Sequence, residues 1–116
     1  MVYYHGTPMR FLDKIMEVGL KPRIRRMGKG FSLPSEYTLG RVYLGRDPDE
    51  SMWAFENVSP SDGPEYSYAK EDWVLLKVEL PDDWPLLMDE EEGYVYTKQP
   101  IPPEYISLIR VYKGKL

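Results

Sequence analysis

Cysteine is absent from this chain of 116 residues, and histidine occurs once, at position 5. The lack of thiols excludes disulfide bonds, thiolate metal sites and a cysteine nucleophile. A single imidazole argues against a zinc site, because such sites usually combine several histidine or cysteine ligands. We therefore expect no metal centre in this protein.

Long apolar segments and an excess of positive charge are also missing. No apolar run approaches the roughly 20 residues that a membrane-spanning helix needs. The N-terminus lacks the basic and then apolar pattern of a secretory signal. The formal net charge of −4 argues against a general nucleic-acid binder. These absences predict a cytoplasmic protein with no membrane partner.

The residues that are present describe one globular domain over residues 1–116. Hydrophobic residues make up 42% of the chain and aromatic residues 14%, which is enough for a single core at this length. Strand-like and helical patterns alternate in the first half, and the second half contains mainly strands. This order predicts an α+β fold, in which two small helices cover a mostly antiparallel β-sheet.

The strands and helices can be placed along the chain. β-Branched, aromatic and aliphatic residues predict strands at 2–4, 41–44, 73–80, 94–97 and 105–112. A first helix is expected at 11–18, ended by Gly19. A second one is expected after Asp47, with that aspartate as its N-cap. Residues 21–40 form a long connection rich in basic residues and glycine, which is typical of a functional or mobile loop.

The one histidine lies in the segment His5-Gly6-Thr7, directly after the first predicted strand. An imidazole at a strand end is a fixed polar group, and the missing side chain of Gly6 would let a ligand approach the main chain. Thr7 adds a hydroxyl that could cap the helix expected to begin near Met9. Taken alone, the same segment also fits an ordinary strand end before a turn.

Three segments together resemble the ADP-ribosyltransferase superfamily, in particular its His-Tyr-Glu branch. They are Tyr4-His5-Gly6-Thr7, Val42-Tyr43-Leu44-Gly45, and Glu92-Gly93-Tyr94-Val95-Tyr96, which leads into Ile101-Pro102-Pro103-Glu104-Tyr105-Ile106. The last segment is also similar to the end of the RNA 2′-phosphotransferases, which share this fold. The resemblance covers nearly the whole chain, and it implies a split, mostly antiparallel β-sheet core with two small helices.

The resemblance implies a site for NAD, which this family uses as a substrate. His5 would bond a ribose hydroxyl, and the main chain of Gly6 would hold the nicotinamide carboxamide. Tyr43 would stack on the nicotinamide ring. The family cleaves the bond between nicotinamide and ribose through an oxocarbenium-like transition state, which needs charge stabilisation more than a strong nucleophile.

Further residues complete the NAD-binding set that the resemblance implies. Thr7 follows the histidine motif, and Arg23 and Arg25 lie in the basic 21–40 loop. Arginine suits a pyrophosphate because its planar guanidinium bonds two phosphate oxygens at once. We expect the loop to close over the bound dinucleotide.

The acid of the His-Tyr-Glu set has several candidates. Glu92 precedes a late strand by a suitable interval and is the first choice for a carboxylate that bonds the 2′-hydroxyl of the reacting ribose. Glu90 and Glu91 are alternatives if the strand begins earlier. Glu104 ranks lower, because its Pro-Pro-Glu-Tyr context resembles a structural turn. The acidic run 89–92 would otherwise be a solvated loop.

The function expected from these residues is NAD-dependent ADP-ribosyl transfer to an acceptor whose identity the sequence leaves open: a protein, a nucleic acid or a small molecule. One alternative is a non-catalytic module of the same fold that binds NAD or ADP-ribose. Another is an RNA 2′-phosphotransferase-like enzyme. A last alternative is an unrelated α+β domain.

Overall fold

The computed structural model describes residues 1–22, 40–57 and 71–114. This part of the chain contains six strands: β1 (Val2–Pro8), β2 (Val42–Leu44), β3 (Trp73–Glu79), β4 (Leu87–Met88), β5 (Val95–Thr97) and β6 (Ile106–Tyr112). It also contains the helices α1 (Leu12–Val18), α2 (Pro48–Ser51) and α3 (Trp53–Asn57), and 3₁₀ turns at Met9–Phe11 and Pro103–Tyr105. None of the helices in these ranges is long and apolar enough to cross a membrane.

The strands form two antiparallel three-stranded sheets. In the first sheet β3 lies between β1 and β6, and in the second β5 lies between β2 and β4. β3 takes a central place because its residues from Trp73 to Leu76 are all buried, which suits a strand covered on both faces. The fold is therefore α+β with antiparallel sheets and small helices, which confirms the class predicted from the sequence.

The two sheets meet at one main-chain bridge between β1 and β2. The amide of Tyr4 donates to the carbonyl of Gly45 at 2.9 Å, and the amide of Gly45 donates to the carbonyl of Tyr4 at 2.7 Å. Within the described ranges, no other bridge joins a strand of one sheet to a strand of the other. We call the interruption of the ladder beyond this bridge, between Gly6 and Tyr43, the split.

One face of each sheet contributes to the larger core cluster. The contributing residues alternate along each strand, as the two-residue period of a strand requires. A second bridge, between Leu20 after α1 and Ile101 before β6, ties the first helix to this core. The buried members of the cluster are Ile15, Leu20, Val42, Leu44, Val74, Leu76, Val78, Leu80, Val95, Ile101 and Ile106.

The opposite face of the first sheet packs against α2 and α3. Here Met52 and Phe55 contact Trp73 and Leu75 of β3 in a second buried cluster. The ring of Phe55 lies 5.8 Å from that of Trp73 in a tilted arrangement, which is favourable for aromatic pairs. The central strand β3 is thus covered on both faces.

The predicted cap of the second helix is present. Asp47 is the N-cap of α2, and its carboxylate accepts the amide of Glu50 at 2.8 Å. Pro48 occupies the first turn, where its missing N–H costs nothing. The single helix expected after Asp47 is instead interrupted at Met52, so that α2 and α3 are two short segments.

The first strand is longer than the sequence predicts. β1 continues to Pro8, so His5, Gly6 and Thr7 lie inside a strand and not at its end. The reason is tertiary, because every residue of β1 pairs with the long strand β3. The helix cap expected from Thr7 is also wrong: Pro8 is the N-cap of the following 3₁₀ turn, and no side chain caps it. Thr7 is buried.

One further strand differs from the sequence-based expectations. β4 lies between the predicted strands 73–80 and 94–97, where no strand was predicted, and it pairs Leu87 with Tyr96 and Met88 with Val95.

Candidate functional site

The strand register places Gly6 opposite Tyr43 across the split. Tyr4 faces Gly45 in an antiparallel bridge. Two residues further along β1 is Gly6, and two residues back along the other strand is Tyr43, so these two are next in register. Main-chain groups alternate in direction along a strand. Since the N–H and C=O of Tyr4 point towards β2, those of Gly6 point into the split. A main-chain donor and acceptor therefore border the opening.

His5 also reaches the split, through its side chain. Its Nδ1 lies 2.8 Å from the carbonyl oxygen of Tyr43. A carbonyl only accepts, so Nδ1 carries the hydrogen and donates it. In the neutral ring Nε2 is then an acceptor. Burial lowers the pKa of the His5 imidazole below its usual value of 6.5, and the bond to the Tyr43 carbonyl opposes that shift. The imidazole is therefore neutral at pH 7.

The side chains of His5 and Tyr43 start on opposite faces of their strands. His5 alternates with Tyr4 and Gly6 and shares the side of Tyr3, which packs on the larger core. Tyr43 lies between Val42 and Leu44, which are both in that core, so its ring points to the other side. The His5 imidazole thus contacts the main chain of Tyr43, and the side chains of the two residues do not converge on one face as the resemblance implies.

The missing side chain of Gly6 makes room for a helix. A Cβ at this position would overlap the carbonyl oxygen of Ser51 and would lie 2.7 Å from Sδ of Met52. A Cβ on Gly45 would likewise overlap Oγ of Ser51. Both glycines allow α2 to lie directly on the junction of β1 and β2. The space that the sequence reserves for a ligand is therefore filled by α2, and only the main-chain edge of Gly6 faces the split.

The ring of Tyr43 belongs to a cluster with Arg41 and Tyr96. Nη1 of Arg41 donates to the hydroxyl of Tyr43 at 2.9 Å. The guanidinium carbon of Arg41 lies 4.4 Å from the centre of the Tyr96 ring, a distance typical of a cation–π contact. Tyr43 and Tyr96 are directly opposite each other on β2 and β5, with ring centres 5.6 Å apart. Two neighbouring strands of the second sheet, β2 and β5, thus supply the tyrosines that contact Arg41.

The first-choice acid, Glu92, lies away from His5. Its side chain is exposed, and among the described residues its carboxylate makes no hydrogen bond or ion pair. It is part of the turn that precedes β5. This turn lies beside Arg46, whose Nη2 donates to the carbonyl of Gly93 at 2.6 Å. Arg46 follows Tyr43 by three residues, so Glu92 borders the end of β2 that points away from the split.

The other candidate acids are no closer. Glu90 and Glu91 are exposed in the same turn as Glu92. Glu104 is exposed in the 3₁₀ turn before β6. It lies two residues before Ile106, which begins the row Ile106, Val78 and Tyr3 of the first sheet. That row lies on the far side of the Tyr4 bridge from the split. The structure therefore brings the His5 imidazole and the Gly6 main chain to the main chain of Tyr43, and it places each of these four carboxylates elsewhere.

Sequence reasoning missed the part played by Asp89. This carboxylate is 7% exposed and accepts three amides: Glu92 at 2.6 Å and Gly93 at 3.1 Å through Oδ1, and Tyr94 at 3.2 Å through Oδ2. It thereby holds the turn that carries Glu92 in one conformation. A positive φ of 73° at Gly93 completes the turn. An aspartate three or four residues before a glycine is a signal for such a turn.

The remaining residues of the expected NAD-binding set do not border the split in the described part of the chain. Arg23, Arg25 and nearly all of the basic loop lie outside the described residues, so the predicted loop closure remains a prediction. Thr7, expected in the NAD-binding set, is buried inside β1. No group of three or more potential metal-ligating side chains occurs in the ranges that the structure describes.

Comparisons with known proteins add no relative to this geometry. No protein-family model matches the chain, and no curated protein matches it significantly. The arguments for function therefore rest on the residues around the split.

Proposed function

We propose that this chain binds NAD at the split and transfers its ADP-ribosyl group to an acceptor: a protein, a nucleic acid or a small molecule. The observation that carries the proposal is the position of Gly6 opposite Tyr43, beyond the single bridge between the sheets, with His5 bonded to the Tyr43 carbonyl. This follows the resemblance of the three sequence segments to the His-Tyr-Glu branch of ADP-ribosyltransferases.

The nicotinamide end of NAD suits the groups beside the split. A carboxamide offers one carbonyl and one NH₂ group, which complement the N–H and the C=O of Gly6. The Tyr43 side chain starts from the same face as Gly6, since the two residues are opposite each other in the register. A flat aromatic ring held by the Gly6 main chain would thus lie close to the phenol ring of Tyr43, where stacking is favourable.

The neutral state of His5 suits a ribose hydroxyl. Its Nδ1–H is used by the Tyr43 carbonyl, and Nε2 remains as an acceptor for an O–H donor. Because burial lowers the pKa of the imidazole, this acceptor stays unprotonated at pH 7. His5 would bind the ribose without supplying a charge.

The transfer needs one bond to break and one to form. The bond between C1′ of the ribose and the nicotinamide nitrogen breaks, and its electron pair leaves with nicotinamide. The acceptor then donates an electron pair to C1′ and loses a proton to solvent. A carboxylate near the ribose would stabilise the positive charge that develops, and Glu92 remains the residue proposed for this task.

A non-catalytic NAD-binding module is the second candidate, and the position of Glu92 favours it. The turn that carries this residue lies beside Arg46, three residues along from Tyr43, which corresponds to about 10 Å in an extended strand. That separation is long for a contact with the ribose next to a nicotinamide that stacks on Tyr43.

Thermal unfolding with NAD, followed by analysis of the products, tests both candidates. At a tenfold excess of NAD over Kd, binding stabilises the folded chain by about 1.4 kcal/mol. For a domain of this size we expect Tm to rise by about 6 °C. His5→Ala should reduce the rise, and Arg110→Met, which changes an exposed arginine on β6, should leave it unchanged.

The products then separate the two candidates. Release of nicotinamide by the wild-type chain, lost in Glu92→Gln and kept in Glu104→Gln, supports the transferase and the choice of acid. A rise in Tm without nicotinamide release identifies the binding module. A Tm that does not respond to millimolar NAD rejects both.

A further inference from the structure

We propose that Arg41 is a positioning residue that fixes the ring of Tyr43 at the edge of the split in the orientation that receives a flat ligand. The inference rests on the proposed function, because it assigns the ring of Tyr43 to nicotinamide. It assigns Arg41 a role at the ring of Tyr43 that the sequence motifs did not give it.

Arg41 holds the phenol of Tyr43 at its far end. Nη1 of Arg41 donates to the Tyr43 hydroxyl at 2.9 Å. The two side chains lie on the same face of the second sheet, because they are two residues apart in sequence at the start of β2. A hydrogen bond at the end of the ring limits rotation about the bonds that join the ring to the main chain.

Tyr96 in turn holds the guanidinium of Arg41. The guanidinium carbon lies 4.4 Å from the centre of the Tyr96 ring, and that ring is buried at 8% exposure. Tyr96 is fixed by the ladder between β2 and β5, where it stands opposite Tyr43. The cation is therefore held between two tyrosines. The strand that fixes its position is β5, which lies between β2 and β4 in the second sheet.

The cluster gives Tyr43 two supports in addition to its own strand. One is the hydrogen bond from Arg41, and the other is the tilted contact with the Tyr96 ring, whose centre is 5.6 Å away. A binding surface made of one aromatic ring is effective only if the ring is ordered before the ligand arrives, because ordering it on binding costs affinity. Arg41 reduces that cost.

A double-mutant cycle measured by NAD affinity tests the inference. The variants are Arg41→Met, Tyr43→Phe and the combination of both. Arg41→Met should weaken NAD binding about tenfold in the wild-type background. It should have almost no effect in the Tyr43→Phe background, where the hydroxyl that Arg41 holds is absent. Arg41→Lys keeps a donor and a cation, and it should recover part of the loss.

A second measurement needs no ligand. NOEs between the rings of Tyr43 and Tyr96 in selectively labelled protein report the orientation of the Tyr43 ring. They should weaken in Arg41→Met and persist in Arg110→Met. The latter is a matched control, because Arg110 lies over the ring of Tyr112 at 4.9 Å on another strand.

The outcomes distinguish a failure of the proposed NAD binding from a failure of the role of Arg41. A wild-type chain that fails to bind NAD overturns the proposed function and, with it, the role of Arg41 in binding. A wild-type chain that binds NAD, with equal effects of Arg41→Met in both backgrounds, overturns the role of Arg41 alone. Unchanged ring NOEs in Arg41→Met overturn the positioning of Tyr43 whatever the ligand does.

Discussion

The imidazole of His5 donates a hydrogen bond to the carbonyl of Tyr43. The Gly6 amide would donate to the same carbonyl if β1 and β2 continued as a regular ladder. In an antiparallel pair, the residues two positions beyond a bonded pair exchange the next two hydrogen bonds. Tyr4 and Gly45 form such a pair, so Gly6 and Tyr43 would form the next one. Instead Nδ1 of His5 donates to Tyr43 at 2.8 Å. His5 therefore joins the two sheets at this point through its side chain, in place of a main-chain pair.

Hydrogen exchange of the Gly6 amide tests this arrangement. The amides of His5 and Thr7 point towards β3 and belong to its ladder, whereas that of Gly6 points into the split. We expect the Gly6 amide to exchange at least about tenfold faster than that of Thr7, because it lacks a ladder partner. In His5→Ala the Tyr43 carbonyl is released, and the Gly6 amide should become protected. Equal protection of the two amides in the wild type would contradict the arrangement.

The stability of the protein should fall between neutral and weakly acidic pH because of His5. Its pKa is below 6.5 in the folded chain and near 6.5 in the unfolded chain, so only the unfolded chain takes up a proton in this window. The free energy of unfolding therefore decreases as the pH falls through 6.5, until the pH reaches the lowered pKa. Chemical denaturation at a series of pH values measures this slope.

His5→Asn is the control for the pH experiment. Asparagine keeps an N–H donor near the position of Nδ1 but does not titrate, so the slope just below pH 6.5 should be absent. Asp72 does not interfere, because the hydrogen bond from the Gly114 amide, with the nearby Lys113, lowers its pKa below 3.8. A slope of equal size in His5→Asn would assign the effect to another group.

The residues that form the split could be found from the sequence, but their neighbours could not. Short motifs single out His5, Gly6 and Tyr43, because a lone histidine before a glycine and a tyrosine on a strand are visible locally. The length of β1 is not visible in this way, because β1 is a strand through its pairing with the distant β3. Local propensity depends on the segment alone, whereas strand pairing also depends on a partner strand that is distant in the sequence.

The structural role of a residue is harder to predict from the sequence than its place near the split. Gly6 is expected to admit a ligand, and the structure shows that it admits Ser51 of α2. Both explanations use the same property, the absence of Cβ, and only the three-dimensional arrangement distinguishes them. The same holds for Asp89 and Glu92, which belong to one acidic run: the first is buried among amides and the second is exposed.

Gly6→Ala should destabilise the protein by about 1–3 kcal/mol, the range found when an extra methyl group is forced into a packed site. The new Cβ would overlap the carbonyl oxygen of Ser51, which is main chain and cannot rotate away. The control is Gly40→Asn. A Cβ on Gly40 would meet no atom of the described residues within 4 Å, and its φ of 75° is one that asparagine tolerates. Urea unfolding measures both changes, and equal losses would contradict the close contact with α2.

Asp89→Ala should destabilise the protein by about 3 kcal/mol, because three amides lose a charged acceptor in a site where water has little access. Asp89→Asn keeps one acceptor oxygen but turns an NH₂ group towards an amide, so we expect a smaller loss of about 1–2 kcal/mol. Glu90→Gln changes an exposed neighbour and should remain within about 0.5 kcal/mol of the wild type. If Glu92 is the acid of a transferase, Asp89→Asn should also lower the rate of nicotinamide release more than it lowers NAD affinity, because the turn that holds Glu92 is loosened while the groups at the split remain in place. Losses of equal size in Asp89→Ala and Glu90→Gln would show that the buried carboxylate does not hold the turn.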